Sequence, residues 1–143
     1  MTKLQKINRS IFRYIEHELY CYHQTKKEIE SIRESVIEGT CKPESGSRTE
    51  GCTSDTTASK VSRLLSSATL MRMERVVNAI DTSLDRLGEQ HRDLFRMKYQ
   101  LRYPTARICQ EMPCSDRSFY RQRRELVEMV GSHLGFLAET WQD

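Results

Sequence analysis

Apolar residues return along this chain at helical intervals and over no useful length at strand intervals. Between residues 4 and 38, Ile11, Ile15, Leu19, Tyr22, Ile29, Ile32 and Val36 follow one another at steps of three, four or seven, with no glycine or proline among them. That spacing predicts one long amphipathic helix. Gly39 is a natural place for it to stop, and Glu16, Lys27, Glu28, Glu34 and Glu38 supply a polar face suited to solvent. Residues 39–54 are almost without apolar side chains and rich in turn formers. Such a stretch buries too little surface to offset its ordering entropy and reads as a flexible linker.

Beyond the linker, Ser54 or Asp55 offers an oxygen to cap a second helix, and Val61, Leu64 and Leu65 give it an apolar side. Leu70, Met73, Val77, Ile80, Leu84 and Leu87 then follow a strict 3-4-3-4-3 spacing, with or without a break near Ser66-Ser67. This is a coiled-coil-like seam of about two and a half heptads. It packs either on the first helix of the same chain or on a second copy, as a homodimer through Leu70–Leu87. Gly88 ends it. A helix over Gln90–Arg102, a short helix over Thr105–Met112, a turn at Pro113-Cys114-Ser115 and a long helix from Asp116 complete the reading. The fold class expected is all-α. Residues 1–38 form an N-terminal helix, 39–54 a linker, 55–88 a central helix region and 89–143 a C-terminal helix-turn-helix domain.

Composition excludes little but locates the chemistry. The 143 residues are 30% charged and 37% hydrophobic, and no apolar run approaches the roughly 20 residues needed to span a bilayer. The first residues lack the apolar block of a secretory signal. Five cysteines, at 21, 41, 52, 109 and 114, are an odd number without a CxxC pair, which points to a reducing, cytoplasmic compartment. The net charge is only +3, but residues 91–124 hold nine basic and three acidic groups. A positive excess confined to one segment suggests a polyanion-binding module.

That segment has the layout of a helix-turn-helix. Ile108 and Met112 line one face of the short helix, Cys109 is small where two helices cross, and Cys114 plugs the turn. Ser115 is placed to cap the last helix and Asp116 to favour its positive end. On a wheel of about 100° per residue, Phe119, Leu126 and Val130 face inward. Arg117, Arg121 and Arg124 cluster opposite, flanked by Tyr120 and Ser118. Arginine suits such a face because its planar fork pairs bidentately with guanine or clasps a phosphate. Arg123 lies nearer the core side and is expected to snorkel to solvent or to pair with an acid. Glu125 and Glu128 follow the arginines, so the helix inserts by its N-terminal half. Arg107 is positioned for a flanking phosphate, with Lys98 and Arg102 as assisting cations.

The run Ile108-Cys109-Gln110-Glu111-Met112-Pro113-Cys114-Ser115-Asp116-Arg117-Ser118-Phe119-Tyr120-Arg121 resembles the helix-turn-helix of the RinA/ArpU group of phage late-gene regulators, a domain similar to the fourth region of sigma factors. Glu18–Ile29, Ser54-Asp55-Thr56-Thr57, and Leu84-x-x-Leu87 with Arg92-Asp93-Leu94-Phe95 and Tyr99 extend the likeness. The resemblance implies a transcriptional activator of phage or prophage late genes that binds promoter DNA in the host cytoplasm, at the nucleoid, with RNA polymerase as a second partner. Carried over by position, Ser115, Arg117, Ser118, Tyr120, Arg121 and Arg124 are its recognition-helix contacts. Two residues depart from the pattern. Pro113 stands where glycine or a polar residue is usual, so the turn must avoid positive φ. Pro104 stands where a serine or threonine cap is usual. A packaging subunit of the small-terminase type, and a helical interaction module without DNA binding, remain as alternative readings of the same stripes.

No phosphate loop, nucleophile elbow or HExxH motif appears. His17 and Cys21 share a helical face, and Cys109 and Cys114 straddle a turn, but neither pair has the further ligands a metal needs. Neither enzymatic activity, nor a cofactor, nor a metal is expected.

Overall fold

A computed structural model describes residues 7–40 and 55–137 of the chain. The described residues form helices and no strand. Helix α1 spans Arg9–Thr40 and α2 spans Asp55–Leu87. Helix α3, Glu89–Phe95, continues as a π-helical stretch over Arg96–Gln100. Helix α4 spans Thr105–Glu111 and α5 spans Asp116–His133. The linker read from the sequence lies outside the described residues from position 41 onward, as does Ser54.

Several boundaries move, each for a local reason. Helix α1 begins at Arg9, where Asn8 caps it; positions 4–6 of the expected helix lie outside the described residues. The Asn8 carbonyl accepts from the Phe12 amide at 2.9 Å and its side-chain oxygen accepts from the Ser10 amide at 3.3 Å. Gly39 does not stop α1, which runs through to Thr40. Helix α2 crosses Ser66-Ser67 without a break and turns at Gly88, whose φ of 96° few other residues adopt. Helix α5 passes Gly131 and closes at Gly135, φ 82°, where the Phe136 amide donates to the Gly131 carbonyl at 2.9 Å.

Helices α1 and α2 lie antiparallel. Tyr22 donates to Asp81, and Arg33, eleven residues further along, pairs with Glu74, seven residues earlier. Between them Val77, Ile80 and Leu84 of the heptad seam are buried, with Leu70, Met73 and Leu87 packed at their edges. The seam is thus occupied within one chain. One hydrophobic cluster takes residues from every helix: Ile15 and Leu19 from α1, Ile80 from α2, Leu94 and Tyr99 from α3 and its extension, Ile108 from α4, and Phe119, Leu126, Val127 and Val130 from α5. Val36, expected on the apolar face of α1, is instead more than half exposed. Gly131 lets α5 approach α1 closely, since a Cβ there would stand 3.0 Å from the tips of Ile7 and Ile15.

Glu16 departs furthest from the sequence reading. Its side chain is 14% exposed, not on a solvated face. Arg123 of α5 donates from Nε to Oε1 at 2.6 Å and from Nη2 to Oε2 at 2.8 Å, and the Tyr99 hydroxyl donates to Oε1 at 2.9 Å. Burial alone would raise the Glu16 pKa, but the hydrogen bonds and charge of Arg123, with help from Tyr99 and Lys98, outweigh it and hold the carboxyl below its ordinary value. Of the two expectations for Arg123, pairing with an acid is the one met, and α5 is tied to α1 and to the end of α3 at one point.

Glu16→Ala leaves a guanidinium and a buried phenol without an acceptor, and should cost about 2–4 kcal/mol in urea unfolding. Because the native Glu16 pKa lies below the unfolded one, the carboxylate's contribution is complete above the unfolded value and disappears as pH falls through the native one. Glu16→Gln should therefore flatten the acid limb of Tm against pH. An acid limb identical to that of the natural chain would contradict this assignment.

Candidate nucleic-acid interface

The candidate surface is built by α4, the turn and the first half of α5. Helix α4 starts after Pro104, whose ψ of 152° is extended and which needs no amide donor at that place. Ile108 points fully into the core, with Cys109, Met112 and Cys114 packed against its edge. The turn avoids positive φ, as Pro113 requires: Met112 sits at φ −99° and ψ 33°, and the Cys114 amide donates to the Cys109 carbonyl at 3.3 Å. Ser115 caps α5 with extended backbone, its Oγ accepting from the Ser118 amide at 3.2 Å. Asp116 follows in the first turn and also accepts from the Cys109 thiol at 3.4 Å. Burial, that hydrogen bond and the neighbouring Cys114 push the Cys109 thiol up to about 11.

With Phe119, Gln122, Leu126, Val127 and Val130 buried, the other side of α5 is left to water. Arg117, Tyr120, Arg121 and Arg124 are all exposed there, over roughly 10 Å of helix axis. Arg117 and Arg124 form no salt bridge among the described residues. Arg121 has a loose one, Nε to Glu125 Oε1 at 3.9 Å, while the other oxygen of Glu125 lies 2.9 Å from His91 Nε2 on α3. Tyr120 is 53% exposed and packs edge-on to Phe119, ring centres 5.3 Å apart. These four side chains need no rearrangement of the core to meet a ligand.

The remaining candidates are partly engaged. Ser115 and Ser118 hydroxyls bond each other at 3.1 Å in the cap. Arg107 lies on α4, off the α5 face, with its guanidinium 3.8 Å from the Tyr103 ring centre and its Nε 2.9 Å from Glu111 Oε1. The fold also adds a cation that the linear sequence does not connect to this surface. Arg9, at the start of α1, shares with Tyr120, Arg124 and Glu128 a cleft of about 320 Å³. Only the packing of α1 on α5 brings it there. Burial raises the Glu128 carboxyl pKa, against the pull of Arg124.

A family model, described as a protein of unknown function, matches residues 5–132. The chain belongs to the DUF722 family. No curated protein and no solved structure matches it. The DUF722 match begins just ahead of the described residues and reaches the last turn of α5, so it includes Glu16, Arg123 and the whole arginine face. Among the described residues of this DUF722 member, no three His, Cys, Asp or Glu side chains are grouped to hold a metal ion. The His17 and Cys21 side chains stand 3.6 Å apart without a third. No described helix is long and apolar enough to cross a membrane.

Ser115→Ala removes the oxygen that satisfies the Ser118 amide and should destabilise the DUF722 fold by about 1 kcal/mol. Thermal unfolding should show this as a Tm lower by about 3 °C. An unchanged Tm would mean that water serves the helix end as well as the serine does.

Proposed function

We propose that this protein binds double-stranded DNA sequence-specifically as a transcriptional regulator, with α4, the turn and α5 acting as a helix-turn-helix. In this reading the N-terminal half of α5 enters the major groove. Arg117, Arg121 and Arg124 contact bases or phosphates, Tyr120, Ser115 and Ser118 contact the backbone or base edges, and Arg107 reaches a flanking phosphate. The observation that carries it is a row of exposed arginines on the free side of a helix whose other side is locked in the core. The likeness of residues 108–121 to the RinA/ArpU regulators narrows the proposal to activation of phage or prophage late genes, with RNA polymerase as the protein partner.

Arg121 is the arginine best placed to read a base, because its hold on Glu125 is weak and it sits mid-face. Arg121→Ala should cost about 1–3 kcal/mol on the cognate promoter and relax preference at one base pair. Fluorescence anisotropy against the cognate duplex and its single-base variants measures this. An equal loss on every duplex reduces Arg121 to a phosphate contact. Absence of any salt-dependent duplex binding by the natural chain overturns the function itself.

A further inference from the structure

The π-helical end of α3 is closed by an arginine in a conformation that belongs to glycine. The Leu101 amide donates to the Arg96 carbonyl and the Tyr103 amide to the Met97 carbonyl, both at 2.9 Å. Between them Arg102 stands at φ 55°. Helices commonly end on a left-handed residue, and glycine holds that place because a Cβ there crowds the carbonyl oxygen. Glycine takes the positive φ at the ends of α2 and α5, at Gly88 and Gly135. Arg102 is the only described residue other than glycine with positive φ.

A residue other than glycine held at positive φ is uncommon, and such outliers gather at functional sites. Arg102 is exposed, and its guanidinium carbon lies 5.3 Å from the ring centre of Tyr20. Lys98 donates to the hydroxyl of the same tyrosine at 3.0 Å. Neither cation forms a salt bridge among the described residues. Two positive groups are thus held against one aromatic ring, directly ahead of Pro104 and α4. The ring limits how far the guanidinium wanders and leaves its hydrogen-bonding edge to solvent.

We propose that Arg102, steadied on Tyr20 and seconded by Lys98 directly ahead of α4, is an anchor for a phosphodiester of duplex DNA. This rests on the DNA-binding reading and extends it: Arg102 ceases to be one more positive charge and becomes a fixed, sequence-independent contact. Its ligand is the phosphate backbone, so its effect is the same on every duplex.

The test compares the natural chain with Arg102→Gly and Arg102→Lys, all full length. A duplex of arbitrary sequence is titrated at several salt concentrations, with Tm measured in parallel. Arg102→Gly relieves the backbone and should leave Tm equal or about 3 °C higher. Its affinity should nonetheless fall on the order of fivefold, with the log–log salt slope shallower by about 0.9. Arg102→Lys keeps a cation and should keep the slope. Unchanged affinity and slope in Arg102→Gly overturn the proposal, and a lower Tm with unchanged binding assigns the side chain to Tyr20 alone. If the natural chain binds duplex and only these variants disobey, this inference fails by itself. If the natural chain binds none at low salt, the DNA-binding reading has failed first.

Discussion

The orientation of α5 hangs on one carboxylate. Glu16 accepts two hydrogen bonds from Arg123 and one from Tyr99, and so joins the first helix, the end of the third and the last at a site largely shielded from water. Apolar packing alone would let α5 roll by a few degrees, since leucine and valine surfaces are forgiving of small rotations. A bidentate pair is not, because both of its bonds depend on the angle between two planar groups. Arg123 is next to Arg124 and two residues from Arg121, so the angle it fixes is the angle at which the exposed arginines stand.

Much of the fold was legible in the hydrophobic spacing. The long helices, the turn at Gly88, the Ser115 cap and the inward set Phe119, Leu126 and Val130 all follow from period and capping chemistry, which act within a few residues. The all-α class follows from the same pattern. What escaped were features set by contacts distant in sequence. Glu16 sits among polar residues of α1 and reads as solvent-facing; only the arrival of α5, 107 residues later, buries it. The continuation of α1 past Gly39 shows the reverse: one glycine costs a helix too little to end it when nothing else terminates the hydrogen-bond ladder.

The candidate surface divides in the same way. The exposed arginines of α5 were visible on a helical wheel, because a wheel needs only local geometry. Arg9 was not visible, since its place beside Tyr120 and Arg124 is a product of tertiary packing. The engagement of Arg107 by Tyr103 and Glu111, four residues to either side, is by contrast a local matter that helical spacing carries. The left-handed backbone of Arg102 has no local signature, because the residue type argues against the conformation. Sequence reasoning places cations on a helix well, but it does not say which of them distant contacts have already claimed.

The two-sidedness of α5 has one further consequence. Its inward residues are shared with every other helix, whereas Arg117, Tyr120, Arg121 and Arg124 project outward, tied to the rest by little more than the edge contact of Tyr120 with Phe119 and the loose pairing of Arg121 with Glu125. Those four positions can therefore be exchanged during evolution with little penalty to folding. A scaffold built this way can acquire new targets by altering a few letters on one face, while the architecture that holds the face steady is inherited unchanged.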